Sequence, residues 1–264
     1  MYIDPKDYNK GRYLGFWSIL AFQAGFINSI GFLDCKRFVS HVTGFGSQVG
    51  IALGEGQYLL TLEMLGAPAS FIAGAWFSGY LTVVRKSRGL IPRYDFVAIA
   101  IPLMLLVLVL SAVSGAFGAF GAPLNLSTDF IYLAVLSFVC GMQNACFATL
   151  TNGHIRTTHL TGISTDFGTD LALLLHGKLS EEEREIAKRK NTMRAYTFCS
   201  FSIGALLSAL VDSYLQHWCL VIPMTSSAFV AAVFTFNKVR SEQRVEKPSE
   251  LLSKDPLVSV FPRV

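Results

Sequence analysis

Six stretches without a charged residue, each near the length needed to cross a lipid bilayer, constrain this chain more than any motif. They are Tyr13 to Leu33, Ala67 to Val84, Phe96 to Phe120, Phe130 to Leu150, Ala195 to Val211 and Trp218 to Phe236. About 20 apolar residues in a helix span about 30 Å of hydrocarbon. Lipid offers no partner to an open backbone, and the runs lack the strict alternation of a membrane barrel, so each is expected to be a helix. The expected fold is all-α, a polytopic membrane helix bundle. Composition agrees: 52% of residues are hydrophobic and 15% charged, against about a quarter charged in soluble domains. The five cysteines, an odd number mostly inside the runs, suit packing better than a disulfide framework. No cleavable signal is expected at the N-terminus, whose first apolar run has full spanning length.

Basic residues orient the spans. Lys6, Lys10 and Arg12 precede the first run; Arg85, Lys86, Arg88 and Arg93 separate the second from the third; Lys188, Arg189, Lys190 and Arg194 precede the fifth; Lys238, Arg240 and Arg244 follow the sixth. The alternate loops, Gly121 to Asp129 and Asp212 to His217, hold neither Lys nor Arg. Both termini are therefore expected in the cytoplasm, with Lys36 and Arg37 as the one breach. This requires that Val42 to Leu53 and Leu160 to Leu175 do not cross. The first is short and carries Thr43, Ser47 and Gln48; the second carries Asp166 and Asp170. Both read as re-entrant or interfacial segments.

An internal repeat runs through this pattern. Ser40-His41-Val42-Thr43-Gly44 returns as Thr158-His159-Leu160-Thr161-Gly162, and Gly25 to Asn28 matches Gly141 to Asn144. The match continues at Gly50 with Gly168, at Gly74-Ala75 with Gly204-Ala205, and at Ser78 with Ser208. Three crossings per copy make the copies inverted, the 3+3 arrangement of many transporters and some channels. The chain then divides into a cytoplasmic N-terminal segment (1–12), a first membrane repeat (13–120), a second (121–237) and a flexible cytoplasmic tail (238–264) punctuated by Pro248, Pro256 and Pro262.

The sequence Gly-x-x-Asn, then His-x-Thr-Gly, then Arg-Thr-Thr-His-Leu-Thr-Gly at Arg156 to Gly162 resembles the YoaK family of multi-pass membrane proteins, over roughly Leu14 to Phe236. The resemblance implies an integral membrane protein. It carries no established substrate and no catalytic residue. Where the family's first motif continues Thr-Gly-Asn, this chain has Phe45.

Helices beginning just after Thr43-Gly44 and Thr161-Gly162 would place each Thr as an N-cap. Their N-termini would present unpaired N–H groups and partial positive charge, suited to an anion or dipolar solute. His41, Thr43 and Gly44, with His159, Thr161 and Gly162, are accordingly the expected solute-binding residues. Asn28 and Asn144, with Gln23 and Gln143, are polar groups inside spans that suit either a pathway or interhelical hydrogen bonds. The Thr-Gly pairs suit plain helix packing equally well. Asp166 and Asp170 stand four apart on one helical face and are expected to couple an ion or proton; the competing reading places them in water at the cytoplasmic interface. They lack a third ligand for a metal, and no metal or other cofactor is expected.

Weaker features complete the reading. Gly115, Gly118 and Gly121, and Gly74 with Gly79, suggest close helix contacts, and Glu185 with Arg189 a helical ion pair. No nucleotide-binding or nucleophile-elbow motif stands in context. The expected function is transport or conduction of a small polar or anionic solute. Alternatives are a membrane-embedded enzyme for a lipid or other hydrophobic substrate, with His41, His159, Asp166 and Asp170 as acid–base groups, or a non-catalytic membrane scaffold. Expected partners are the lipid bilayer and a small-molecule solute, with homo-oligomer formation left open and no nucleic acid.

Overall fold

The computed structural model describes residues 11–121, 126–151 and 157–236. Lys6, Lys10, Arg156, Lys238, Arg240, Arg244 and the proline-punctuated tail lie outside the described residues.

Among the described residues every regular element is helical. In chain order they are α1 (Gly11–Cys35), α2 (Val42–Gly54) and α3 (Tyr58–Gly79), which continues through a π-helical turn at Tyr80–Val84 into α4 (Arg85–Ser87). Then come α5 (Tyr94–Val113), α6 (Leu126–Leu150), α7 (Leu160–His176), α8 (Glu181–Leu215), a 3-10 segment at Gln216–Leu220, and α9 over residues 221–236. Five helical runs are long and apolar enough to cross a membrane: Leu14–Cys35, Tyr58–Ser87, Tyr94–Val113, Thr128–Leu150 and Glu181–Phe236. The last is 56 residues long and contains both the fifth and the sixth expected spans. It breaks at Gln216, whose φ of 49° lies in the left-handed region that a continuing helix excludes.

The third expected span is shorter than its apolar run. Helix α5 ends at Val113, and Gly115, Gly118 and Gly121 adopt φ of 90°, 78° and 69°. These glycines were expected at helix contacts; they instead build a turn whose backbone only glycine adopts without strain.

Side-chain contacts fix helix direction. Gln143 on α6 bonds to the Leu20 carbonyl of α1, Phe147 meets Phe16, and the first turn of α6 holds Asp129 near Asp34. Helix α6 thus runs opposite to α1. Helix α9 also runs opposite to α1, since Ser226 reaches Gln23 and Phe234 meets Phe16. Helix α8 runs with α1: the two cross at Gly25 and Gly204, and His217, just past α8, meets Asp34 near the end of α1.

Two glycine crossings hold the bundle. A Cβ on Gly25 would collide with the backbone of Phe201, and one on Gly204 with the backbone of Phe22. In the same way Gly74 lies against Phe138, and Gly141 against Phe71. Ser78 and Ser208, one turn beyond Gly74 and Gly204, are fully buried. These are small-xxx-small interfaces, which let backbones approach closely in lipid, where the hydrophobic effect cannot press helices together. Gly79, also expected at a contact, has open space around it. Trp17, Phe26, Tyr132 and Phe147 are fully buried in the core, where Trp17 and Phe147 join α1 to α6, and Cys35, Cys140, Cys146 and Cys219 are buried as packing residues.

Candidate functional site

Helix α2 begins after a fold-back, not after a connecting loop. Beyond Cys35 the chain retraces α1: Phe38 stacks on Phe32 at 4.5 Å, Val39 packs on Gly31, and Ser40 donates both its N–H (3.0 Å) and its hydroxyl (3.1 Å) to Asn28 Oδ1. Ser137 of α6 pins the Val39 carbonyl at 3.0 Å. Asn28 lies seven residues before Cys35, roughly 10 Å along the helix at 1.5 Å per residue. The first residues of α2 therefore start at that depth. The second half repeats the gesture, with Thr157 lying beside Gln143, seven residues before Leu150; Gln143 Nε2 donates to its hydroxyl at 3.4 Å.

The His-x-Thr-Gly motif then sets the start of each half-length helix. The expected N-caps were Thr43 and Thr161; the structure puts His41 and His159 there, in matching conformations (φ −86°, ψ 63° and φ −107°, ψ 57°). Each Thr falls inside the first turn and each Gly at its third position. The His41 ring folds over Gly44 where a Cβ would stand, and His159 Nδ1 lies 3.5 Å from the same point at Gly162. The glycine is thus room for the imidazole of the N-cap residue, whose ring makes no capping hydrogen bond in either helix. His41, His159, Thr43 and Thr161 are all exposed, beside N–H groups that the first helical turn leaves unpaired.

The two half-length helices are attached differently. Helix α2 buries Phe45 and Ala52, so Phe45 supplies an apolar anchor. Helix α7 buries no residue over its 17 positions. Polar bonds to α8 hold it instead. Arg194 Nη1 reaches Asp170 Oδ2 at 2.5 Å, the Asp166 carbonyl at 3.2 Å and Asn191 Oδ1 at 2.9 Å, while Nη2 reaches Asp166 Oδ2 at 3.4 Å. Asn191 donates to the Phe167 carbonyl and Arg184 to the Leu174 carbonyl. The order of these pairs makes α7 antiparallel to α8, with its His159 end toward the apolar part of α8 and its His176 end beside the charged connector.

Between the halves, Gln23 and Gln143, each 1% exposed, join through a 2.8 Å hydrogen bond. Ser226 reaches Gln23 Oε1 at 3.4 Å, and Gln143 also donates to Leu20 O at 3.0 Å. A cavity of about 10 Å³ adjoins them, lined by Ser227 and the apolar Leu20, Ala98, Ile101 and Phe147. That is close to the minimum for one water.

The structure thus brings Asn28 to Ser40, and Asp166 and Asp170 to Arg194. It leaves Asn144 Oδ1 buried without a hydrogen-bond partner among the described residues. Glu185 pairs with Lys188 at 3.1 Å. Sequence reasoning overlooked Arg194 and Asn191 as partners of α7. It also missed Asp34 and His217, which meet at the opposite end of the bundle. The two acids in a half-apolar segment signalled the need for a counter-ion, and Arg194 was already in view as a topological marker.

A family model described as "Protein of unknown function (DUF1275)" matches residues 16–233. The UPF0700 transmembrane protein YoaK of Bacillus subtilis (strain 168) is 25% identical over 208 residues, which cover 78% of this chain and 87% of that protein. No solved structure matches at a significant level.

Proposed function

The chain belongs to the DUF1275 family and is a multi-pass integral membrane protein, and from that footing we propose that it is a six-span transporter or channel for a small polar or anionic solute. In this reading the run Glu181–Phe236 crosses twice, reversing at Gln216, and the chain is an inverted 3+3 repeat with both termini cytoplasmic. Opposed α1 and α6 support the inversion. So do the glycine crossings, in which the first copy's Gly25 and Gly74 contact the second copy's α8 and α6.

The observation that carries the proposal is the pair of fold-backs, each delivering a His-capped helix N-terminus into the depth of the bundle. Half-length helices whose N-termini meet the solute from opposite faces are a recurrent transporter device. Exposed Thr43 and Thr161 hydroxyls and the first-turn N–H groups would then bind the solute, with His41 and His159 beside them. Asp170 would be the coupling group: a proton or cation arriving at its carboxylate competes with Arg194, and the winner decides whether α7 stays on α8. Asp166, farther from the guanidinium, plays the lesser part.

Purified protein in liposomes, screened with small anions and neutral polar solutes, tests the proposal. Flux of one class, reduced at least severalfold by Thr161→Val in a folded protein, is the expected result. Absence of flux for every class would overturn it.

A further inference from the structure

The end of the bundle remote from α7 holds a buried acid–imidazole pair that no step above uses. Asp34 lies in the last turn of α1 and His217 in the 3-10 segment after α8; their side chains are 10% and 9% exposed. The Gly121 N–H donates to Asp34 Oδ1 at 2.9 Å, and His217 Nε2 lies 3.0 Å from the Gly118 carbonyl oxygen. Phe120 and Tyr132 pack edge-on against the imidazole at 5.3 and 6.2 Å.

The hydrogen-bond chemistry fixes a proton count. A carbonyl oxygen only accepts, so Nε2 must carry hydrogen. The other ring nitrogen, Nδ1, is buried without a hydrogen bond among the described residues and faces Asp34 Oδ2 at 3.5 Å, an ion-pair distance. A neutral imidazole with hydrogen on Nε2 would aim a lone pair at a carboxylate, which is repulsive. With one proton more, on Nδ1, the same geometry is an imidazolium–carboxylate pair in a poorly hydrated site, where charge attraction is stronger than in water. We propose that Asp34 and His217 form a proton-binding clasp, which joins the α1 end, the glycine turn and the α8–α9 reversal when it holds its proton and releases them when it does not.

The surroundings leave this pair as the switch. Around it stand Lys36, whose amine is bonded to the Leu33 carbonyl, Asp129 on α6, Asp212 on α8, the thiols of Cys35 and Cys219, and the Tyr132 phenol. The turn at 115–121 has no titratable side chain. Its three left-handed glycines and Gln216 at φ 49° shape the two reversals that the pair joins. On the six-span topology this face is extracytoplasmic, so the proton comes from outside. The closed geometry needs the proton, so low pH favours the clasp, and rising pH releases it; one linked proton changes the closed-to-open ratio by up to about tenfold per pH unit.

Spin labels at Ala119→Cys and Tyr214→Cys, both exposed positions, in a Cys199→Ser background that removes the exposed native thiol, give the test. The distance distribution in lipid nanodiscs is measured at pH 5 and pH 9 without solute. Wild type should be narrow at pH 5 and longer or broader at pH 9. Asp34→Asn, whose amide donates to neutral His217 without a titrating proton, should stay narrow at both. His217→Phe should be broad at both. A wild-type distribution indifferent to pH, or Asp34→Asn shifting as wild type does, would overturn the clasp. Lack of solute flux alongside the expected distances would remove the transport reading and leave the clasp standing.

Discussion

Arg194 on α8 holds Asp170 on α7 at 2.5 Å, shorter than its contacts with Asp166 at 3.2 and 3.4 Å, and so helps to attach a helix with no buried residue. Asp170 is 25% exposed and Asp166 64%, and Asp166 also stands farther from the guanidinium, at 3.4 Å, so the second pair is the weaker of the two. A charged hydrogen bond in such a partly buried site contributes about 1.5–3 kcal/mol. Double-mutant cycles on thermal unfolding should therefore give a coupling of about 1–3 kcal/mol for Arg194 with Asp170 and under about 1 kcal/mol for Arg194 with Asp166. Limited proteolysis of Arg194→Gln should cut first between 160 and 176. Equal couplings would show that the close contact is not what retains α7.

The four crossing glycines give a prediction of opposite sign to ordinary helix propensity. Alanine is better than glycine in a helix interior by about 1 kcal/mol. At Gly50 and Gly54, where the added Cβ meets open space, alanine should be neutral or stabilising. At Gly25, Gly74, Gly141 and Gly204 the Cβ would strike a neighbouring backbone, which cannot rotate away, so alanine should cost about 1–3 kcal/mol or more. Unfolding temperatures in detergent distinguish the two groups. If all six substitutions behave alike, the crossings are not as close as described.

The cap motif predicts a rescue. Gly44→Ala drives a Cβ into the His41 ring, and His41→Ala removes that ring. The double variant should unfold closer to the His41→Ala single variant than to Gly44→Ala, a departure from additivity expected for touching residues. Gly162→Ala should be milder, because His159 stands at ordinary contact distance. Additive losses at positions 41 and 44 would mean that the glycine serves some purpose other than room for the imidazole.

The helices were legible because a bilayer demands long apolar runs, and each run is a local property of the sequence. Gly74 and Gly204 stand at matching places in the expected repeat and both lie at crossings, although glycine alone could not say that Gly118 makes a turn while Gly141 makes a crossing. Helix starts were read two residues late, at Thr43 and Thr161 instead of His41 and His159; a cap depends on where the chain turns, and the fold-back onto Asn28 sets that turn. The long-range pairs were out of reach. Nothing local joins Gln23 to Gln143, Asp170 to Arg194 or Asp34 to His217, because each pair meets only after helices from distant segments have packed.

The most direct measurement for the two half-length helices is sided thiol labelling of Ser47→Cys and Thr165→Cys, both exposed positions, in the Cys199→Ser background, with a membrane-impermeant maleimide applied to one face of sealed vesicles at a time. Inverted half-helices require position 47 to react from the extracytoplasmic face and position 165 from the cytoplasmic face. Labelling of both positions from the same face would refute the inversion, and with it the proposal that the two His-capped helices approach one solute from opposite sides.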